Sequence, residues 1–144
     1  MFYYDTKLEF KGAILLSVDE ASTLLTEQER EYGIEWWLRT PGNGFMCEAC
    51  YVCDNGYIDI EGDNVRLNFG IRPALQICNM GSFNIGDIFS IGEYYFKVIS
   101  PELAWLYKQD IGKDIFDFFS NNYETSHVKQ VIDAWYETLM EEMR

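Results

Sequence analysis

Apolar residues recur along this chain in short runs separated by turn-forming residues, and this pattern predicts many short strands. The first run covers residues 11–16. Turn signals at residues 41–42, 54–56 and 62–64 end three of the later runs. Further strands are predicted over residues 35–40, 49–53, 57–61, 71–77, 85–92, 94–99 and 103–107. Short turns between consecutive strands favour a mostly antiparallel sheet.

Helices are predicted at two places. Ser17 followed by Glu20, and Thr26 followed by Glu29, have the spacing of capping boxes, so each pair predicts the start of a short helix. The clearest helix is C-terminal, with Ser126 or Thr125 as its N-cap. Its apolar residues fall at helical spacing: Val128, Val131, Ile132, Trp135, Leu139 and Met143. Together with the strands, these helices predict a single α+β domain over residues 1–144.

Composition and charge narrow the function classes. Of the 144 residues 48% are hydrophobic and 17% aromatic, which is enough to build a packed core. The formal net charge is −13 and is spread along the whole chain. Direct binding of nucleic acid or of an anionic membrane is disfavoured, because both need Lys and Arg. A protein partner with a basic surface is electrostatically favoured.

The sequence also predicts a compartment. No apolar run approaches the ~20 residues of a membrane span, and the N-terminal residues lack the basic and apolar regions of a signal peptide. We therefore expect a cytoplasmic protein, in the host cytoplasm if the chain is phage-encoded. Its four cysteines are then expected to be thiols.

Cys47, Cys50 and Cys53 are spaced as in zinc or iron–sulfur ligand runs, and Cys78 supplies a fourth thiol. The predicted strand over residues 49–53 opposes this assignment, because an extended chain would place Cys47 and Cys53 roughly 20 Å apart. We therefore predict no metal ligands and no cofactor. Cys50 is instead expected to be a small core residue.

Carboxylate and amide oxygens, which calcium prefers, are frequent after the third predicted strand. These residues are Asp54, Asn55, Asp59, Glu61, Asp63 and Asn64. Their spacing lacks the terminal bidentate glutamate of a helix–loop–helix calcium site. Turn-forming surface residues are the preferred interpretation, and calcium stays an alternative.

Catalytic chemistry has little support in the sequence. His127 is the only histidine, and general-base catalysis would need it near a nucleophile. Its place at a predicted helix start favours a surface or capping role. The chain has no phosphate loop, dinucleotide fingerprint or nucleophile elbow. We therefore predict that the protein is not an enzyme.

Arg39 and Arg72 each lie among large apolar residues. Pro73 directly follows Arg72, and Pro41 follows Arg39 after one intervening residue. An arginine in such a setting is expected to be partly buried and to bond a carboxylate or nearby carbonyls. We therefore predict that Trp37, Arg39 and Arg72 are structural anchors at the two ends of a polar segment.

Four motifs in this part of the chain resemble those of an uncharacterised family of bacteria and their phages. The hallmarks of that family are LLSxxE, WLRSPG, AAYV with a following DG, and GVRPAL. They correspond here to Leu15–Glu20, Trp37–Gly42, Ala49–Val52 with Asn55-Gly56, and Gly70–Leu75. The resemblance covers about residues 13–77. Small departures, Thr40 for serine, Cys50 for alanine and Ile71 for valine, leave the pattern intact.

The family is similar to the C-type-lectin-like fold of retroelement variable proteins and formylglycine-generating enzymes. The resemblance implies a small antiparallel sheet, flanking helices and a long irregular loop over residues 43–68. The catalytic cysteines of the enzyme branch have no match here. Residues 84–144 resemble a strand–helix block that begins larger relatives, so we expect a circularly permuted domain. The strand 94–99 and the helix 126–142 should then pack on the strands of residues 13–77.

These observations favour a non-enzymatic module that binds a protein partner through its lectin-like loop surface. The expected contact residues are Asn43, Phe45, Tyr51, Asp54, Tyr57, Asp59, Glu61, Asn64, Arg66 and Asn68. Aromatic and amide side chains on a rigid frame suit recognition. The alternative is a phage-encoded inhibitor of host defence, similar to an anti-CRISPR protein, that uses its acidity to mimic nucleic acid.

Overall fold

The computed structural model describes residues 8–143. The first seven residues, on which the expectation about a signal peptide rests, lie outside the described residues. The described part forms ten strands: β1 (Glu9–Ile14), β2 (Trp36–Pro41), β3 (Glu48–Val52), β4 (Ile58–Asn64), β5 (Phe69–Gly70), β6 (Ala74–Asn79), β7 (Ile88–Ile91), β8 (Tyr94–Ser100), β9 (Leu103–Leu106) and β10 (Lys113–Asp114). It also forms helices α1 (Val18–Leu24), α2 (Glu27–Arg30) and α3 (His127–Glu142), with a 3₁₀ turn at Tyr123–Thr125. The chain is therefore a mixed α and β protein in which sheet predominates.

The strands form two five-stranded sheets. The first sheet has the order β1-β6-β9-β8-β7, and all of its pairings are antiparallel. The second sheet has the order β10-β5-β2-β3-β4 and contains one parallel pairing, between β2 and β5 at Trp36 and Gly70. The two very short strands, β5 and β10, are absent from the sequence prediction, because two residues are too few to show a hydrophobic period.

Strand β2 is buried on both faces, and the core lies on each side of it. Successive side chains of a strand point to opposite faces, and Trp36 and Trp37 accordingly enter different apolar clusters. Trp37 packs against Phe69, with ring centroids 4.4 Å apart, in the cluster that also includes residues of both sheets and of α3. Trp36 packs against Trp105 at 5.8 Å in the second cluster. Strand β2 therefore contributes to both apolar clusters and fixes the loops that flank it.

The predicted helix starts are confirmed. Ser17 Oγ accepts from the Glu20 N–H at 3.1 Å, and Glu20 Oε1 accepts from the Ser17 N–H at 2.9 Å, which completes a capping box. The same reciprocal bonds begin α2. Ser126 caps α3 by accepting from the Lys129 N–H at 3.1 Å. None of the helices within residues 8–143 has both the length and the apolar character that crossing a membrane requires.

The turn predicted at residues 62–64 is wrong, because β4 continues through these residues. The pairing register shifts between Ala49 and Tyr51 of β3, so a bulge forms in the hairpin. Gly62 lies in the bulge with φ +89°, and a Cβ there would meet the Ala49 carbonyl oxygen at 2.7 Å. Glycine therefore serves to keep the strands paired and does not end the strand.

The long irregular loop expected over residues 43–68 is accordingly also wrong. Most of this segment is the β3–β4 hairpin, which forms one edge of the second sheet. The irregular pieces are the connection from β2 to β3, the hairpin turn after Val52, and the connection from β4 to β5. Any surface that this segment presents is therefore built on paired strands.

The final third of the chain packs on the strands of the motif region, as expected for the strand–helix block. Strand β8 pairs with β9, which pairs with the motif strand β6. Helix α3 packs against β1. The hydroxyl of Tyr123, just before α3, accepts from the Leu15 N–H at 3.4 Å. The C-terminal residues therefore complete the first sheet and its covering layer.

Candidate functional site

Arg39 ties the end of β1 to the start of α1. Its Nη1 donates to Glu20 Oε1 at 2.6 Å and to the Leu15 carbonyl at 2.7 Å, and its Nη2 donates to Glu20 Oε2 at 3.2 Å. Burial would raise the pKa of Glu20, but the bonds from Arg39 and from the Ser17 N–H hold it below the ordinary value of 4.5. Arg39 thus fixes a helix cap and a strand end at once.

Arg72 is held very differently. It is 1% exposed, and its guanidinium lies 4.1 Å from the ring centroid of Tyr32, 4.2 Å from Trp105 and 4.9 Å from Trp36. Its Nε donates to the Gln109 carbonyl at 3.0 Å. Desolvation lowers the pKa of the guanidinium to about 10. Stacking on aromatic rings therefore takes the place of a carboxylate partner.

The expected contact residues are spread along the β3–β4 hairpin. Asp54 and Tyr57 lie at the hairpin turn, whereas Phe45 and Arg66 lie at the opposite end. Strand β3 between them has five residues, which at ~3.3 Å each put the two ends roughly 16 Å apart. The structure places Tyr51, Asp59 and Glu61 between the ends, and Asn64 and Asn68 at the Phe45 end. Asn43 lies beside the middle of the hairpin, because its N–H donates to the Ile60 carbonyl at 3.2 Å. The residues therefore do not converge on one surface.

Two of the residues in the middle of the hairpin bond each other. Tyr51 donates its hydroxyl to Asp59 Oδ2 at 3.3 Å, and both side chains are half-buried. Burial and the nearby Asp59 carboxylate raise the pKa of Tyr51. Asp59 Oδ1 also accepts from the N–H groups of Glu61 and Gly62 at 3.0 and 3.1 Å. This pair stabilises the bulge and has little freedom to meet a partner.

A different surface stands out by its exposed apolar area. Phe45 is 73% exposed, Met46 72%, Phe118 54% and Phe119 76%. Arg66 contacts the second pair, because its Nε donates to the Phe118 carbonyl at 2.7 Å and its guanidinium lies 5.8 Å from the Phe119 ring centroid. We call these five residues the aromatic face. Asn121 links the two pairs, because its backbone N–H donates to the Met46 carbonyl at 2.7 Å. Large apolar side chains grouped on a protein surface mark interaction sites.

The half of the aromatic face that carries Phe45 and Met46 is a tightly bonded loop. Glu48 donates its N–H to the Phe45 carbonyl at 3.0 Å and accepts from the Phe45 N–H at 3.2 Å. Asn121 donates its backbone N–H to the Met46 carbonyl at 2.7 Å and its Nδ2 to the Glu48 carbonyl at 2.9 Å. The loop therefore holds its exposed side chains on a fixed backbone.

Asp117 organises the half that carries Phe118 and Phe119. Its carboxylate accepts from the N–H groups of Ser120 at 2.9 Å, of Phe119 at 3.1 Å and of His127 at 3.1 Å. Burial would raise the pKa of Asp117, but these backbone bonds outweigh it and hold the pKa below its ordinary value. The segment before α3 is therefore as well fixed as the loop opposite.

Sequence reasoning placed Phe45 and Arg66 in the site but missed Met46, Phe118 and Phe119. The available signal was the run Phe118-Phe119, which lies between polar residues and outside every predicted strand and helix. Large apolar residues that no periodic element can bury are candidates for an exposed patch. Their position beside Phe45 depends on contacts across more than 70 residues, such as Asn121 with Phe45, and the sequence shows no sign of them.

The residues considered for metal and acid–base chemistry occupy ordinary positions. Cys50 is buried, and its thiol donates to the carbonyls of Pro41 at 3.4 Å and Ile60 at 3.3 Å. Burial raises the pKa of that thiol to about 11. His127 Nε2 lies 3.1 Å from Asp114 Oδ2. Within residues 8–143, no three His, Cys, Asp or Glu side chains are grouped to hold a metal ion.

Comparison with protein families gives one result. Residues 7–78 match the model of a family described as a domain of unknown function, DUF6273. The chain belongs to this family. The match covers half of the chain and includes both arginine anchors, Phe45, Met46 and Arg66, whereas Phe118 and Phe119 lie outside it. Comparisons with curated proteins and with solved structures give no match.

Proposed function

We propose that this DUF6273 protein is a non-enzymatic module that binds a protein partner through its aromatic face. The observation that carries the proposal is the exposure of Phe45, Met46, Phe118 and Phe119, each more than half accessible, on two segments fixed by hydrogen bonds. Exposed aromatic anchors on a rigid backbone contribute much of the binding energy at protein interfaces. A pre-ordered surface also loses little conformational entropy when it binds.

The charge of the chain suggests the chemistry of the partner. With a net charge of −13, the protein attracts a partner whose surface around the contact is basic. Asn64 and Asn68 are exposed at the same end of the hairpin as Phe45 and would supply adaptable polar contacts at the rim. We place this encounter in the cytoplasm of a bacterium or of a phage-infected host, where the four thiols would stay reduced.

We also propose that the domain is a circularly permuted C-type-lectin-like fold. Support comes from the four family motifs and from the packing of β8 and α3 on the strands of the motif region. A chain that ends at residue 84 would lose β9, the partner of β6, and α3, which covers β1. We expect such a truncated chain to be unfolded by circular dichroism. A cooperatively folded fragment would contradict the permuted, single-domain arrangement.

The binding proposal can be tested by affinity capture from bacterial lysate followed by measurement of the dissociation constant with the partner that mass spectrometry identifies. We expect a Phe45→Ser, Phe119→Ser double variant to weaken binding by about 30-fold or more, the effect of removing interface hot spots. Tyr57→Ser is the matched control, because Tyr57 is 60% exposed but lies at the other end of the hairpin.

All three proteins should show the same melting temperature, since the substituted side chains are exposed. Loss of binding in Tyr57→Ser with full binding in the double variant would refute the aromatic face as the contact surface. It would instead favour the hairpin turn.

The second candidate function is inhibition of a host-defence protein by mimicry of nucleic acid. Its support is the net charge of −13, spread over the whole chain. Binding of this kind would weaken steeply with salt and would compete with DNA or RNA, because it relies on screened charges. Binding through the aromatic face would change little between low and high salt. A salt titration of the captured complex therefore separates the two functions.

A further inference from the structure

The chain contains two Asn-Gly steps, and the fold holds them in different ways. One is Asn43-Gly44, in the connection from β2 to β3, and the other is Asn55-Gly56, in the turn of the β3–β4 hairpin. Every other asparagine is followed by a residue with a side chain of its own. Glycine has no Cβ, so its backbone nitrogen is the least shielded from the side chain before it. At these two steps an asparagine can therefore react most easily with the main chain.

The reaction is deamidation, and water is the only other reactant. The backbone nitrogen of the glycine bonds to the side-chain carbonyl carbon of the asparagine. The side-chain amide group leaves as ammonia and takes the proton of that backbone nitrogen, so a five-membered succinimide ring forms. Water then opens the ring at either of its carbonyl groups, which gives aspartate or isoaspartate. The glycine nitrogen must therefore be free to approach the side chain.

At Asn55-Gly56 the backbone of the glycine is bonded on both sides. The Gly56 N–H donates to the Cys53 carbonyl at 2.9 Å, and the Gly56 carbonyl accepts from Arg30 Nε at 2.9 Å. Gly56 is also buried, although Asn55 is exposed. The side-chain oxygen of Asn55 accepts from the Tyr57 N–H at 3.1 Å. Ring formation at Asn55 would therefore require several of these bonds to open first.

At Asn43-Gly44 the peptide link itself is not bonded. Both residues are exposed. Among residues 8–143, nothing bonds the Gly44 N–H, the Asn43 carbonyl or the Asn43 side chain. Bonds lie only on either side of the link, from the Asn43 N–H to the Ile60 carbonyl and from the Phe45 N–H to Glu48 Oε1, both at 3.2 Å. The Gly44 nitrogen can therefore approach the Asn43 side chain without breaking a hydrogen bond of its own.

We propose that Asn43 is a modification site at which the folded protein deamidates spontaneously, whereas Asn55, in the same dipeptide, is protected by the fold. The bonds of Gly56 that must open add to the barrier at Asn55, and no equivalent bonds exist at Gly44. In the folded protein we therefore expect Asn43 to react at least about tenfold faster than Asn55.

The modification changes the chain just before Phe45 of the aromatic face. Aspartate at position 43 adds a negative charge, and isoaspartate also lengthens the main chain by one carbon atom. Gly44 lies close to Glu48, since a Cβ on Gly44 would meet Glu48 Oε1 at 2.6 Å, so the added charge would face an acidic neighbour. Any effect on partner binding rests on the proposed function, whereas the modification itself is measured on the isolated protein.

Peptide mapping by mass spectrometry tests the proposal on the full-length protein. The folded protein is incubated at neutral pH and physiological temperature, and samples are digested at intervals to measure the deamidated fraction of the Asn43 and Asn55 peptides. The Asn43→Asp variant supplies the chromatographic standard for the aspartate product, and the isoaspartate peptide has the same mass but a different retention. We expect both products to accumulate at Asn43 while Asn55 stays largely unmodified.

The same protein unfolded in concentrated urea separates the effect of the fold from that of the local sequence. Both Asn-Gly steps then lose the bonds of the folded state, so Asn43 and Asn55 should react at similar rates. Incubation in urea continues until half of each peptide has reacted, and this time sets the length of the incubation of the folded sample. Each asparagine thus serves as the matched control for the other.

Two results would overturn the proposal. The first is that Asn55 reacts as fast as Asn43 in the folded protein, which would show that the bonds of the hairpin turn give no protection. The second is that Asn43 stays unmodified in the folded protein although it reacts in urea, which would show that the fold restrains the Asn43-Gly44 link as firmly as the turn. Neither result depends on a binding partner, so a failure of the binding proposal would leave this inference standing.

Discussion

Replacing Arg39 by alanine should destabilise the whole domain. The side chain bonds the Leu15 carbonyl at the end of β1 and both carboxylate oxygens of Glu20 in α1. Glu20 is also the residue that returns a bond to the Ser17 N–H in the capping box. Loss of Arg39 therefore weakens a strand end, an ion pair and the geometry of a helix cap together.

The expected loss can be worked from these contacts. The side chains of Arg39 and Glu20 are 27% and 28% exposed, so solvent screens the ion pair and we assign it about 1 kcal/mol. The bond from a charged donor to the buried Leu15 carbonyl contributes at least about 1.5 kcal/mol. Arg39→Ala should thus lower the free energy of unfolding by roughly 2.5 kcal/mol. In a domain of this size that corresponds to a fall of roughly 5–10 °C in melting temperature.

The assay is urea denaturation followed by circular dichroism, at neutral and at acidic pH. The pKa of Glu20 is lower in the folded protein than the ordinary 4.5, so its charge stabilises the fold above that value. This contribution is lost as the pH falls through the pKa of the folded state. The difference between the natural protein and Arg39→Ala should therefore be full at pH 7 and should shrink as the pH falls below 4.5 and through the pKa of folded Glu20, towards the contribution of the Leu15 bond alone.

A surface ion pair supplies the control. Lys129 and Asp133 form an i,i+4 pair on α3 at 2.7 Å, with side chains 31% and 51% exposed. Lys129→Ala should cost no more than about 0.5 kcal/mol. A loss below about 1 kcal/mol for Arg39→Ala, or a loss of partner binding with unchanged stability, would refute the anchor role of Arg39.

Three further predictions concern the core, the hairpin and the thiols. In urea denaturation, Phe116→Ala should lower the free energy of unfolding by about 3–5 kcal/mol, because this ring is fully buried. Phe119→Ala should lower it by less than about 0.5 kcal/mol, because this ring is 76% exposed. The reverse order would contradict the fold of this segment. Gly62→Ala should lower the free energy of unfolding by about 1–3 kcal/mol, because residue 62 has a positive φ and its Cβ would lie close to the Ala49 carbonyl. Unchanged stability would contradict the bulge. At pH 8, iodoacetamide should alkylate the exposed Cys78 and leave Cys50 unmodified, because the buried Cys50 thiol has a pKa raised to about 11. Mass spectrometry measures the labelling. Rapid labelling of Cys50 would show that strand β3 opens.

Helix starts were readable from the sequence because the capping box is a local device. The serine at position 17 and the glutamate three residues later satisfy each other's backbone N–H groups, and no distant residue is needed to form that pattern. The same holds for the start of α3, where Ser126 bonds within its own turn. The ion pair between Glu20 and Arg39 is long-range. The sequence indicated that Arg39 needs a carboxylate but did not identify Glu20 as the residue that supplies it.

The hairpin shows where local signals mislead. Gly62-Asp63-Asn64 has the composition of a turn, yet these residues continue β4. The pairing partners in β3 decide the outcome, because their ladder bonds extend past a bulge that only glycine can occupy at φ +89°. A turn and a bulge thus share the same residue types, and only the strand alongside distinguishes them.

The aromatic face could not be predicted as a unit for a related reason. Phe45 and Phe119 are separated by more than 70 residues, and the bonds that bring their segments together run through Asn121 and Arg66. These are side-chain bonds to backbone carbonyls, which leave no periodic trace in the sequence. Three residues of the face lie inside the part of the chain that matches DUF6273, and Phe118 and Phe119 lie outside it. Under the proposed function, the partner would therefore be selected in part by the C-terminal segment, even where the family motifs are kept.

Arg39 and Arg72 occupy similar sequence settings, but their environments assign them different chemistry. Arg39 meets Glu20 near the surface, so its charge is neutralised within the fold. Arg72 is enclosed by three aromatic rings and a carbonyl, which stabilise its charge without cancelling it. The two arginines are therefore held by different means, Arg39 by an ion pair and Arg72 by aromatic stacking and a backbone carbonyl.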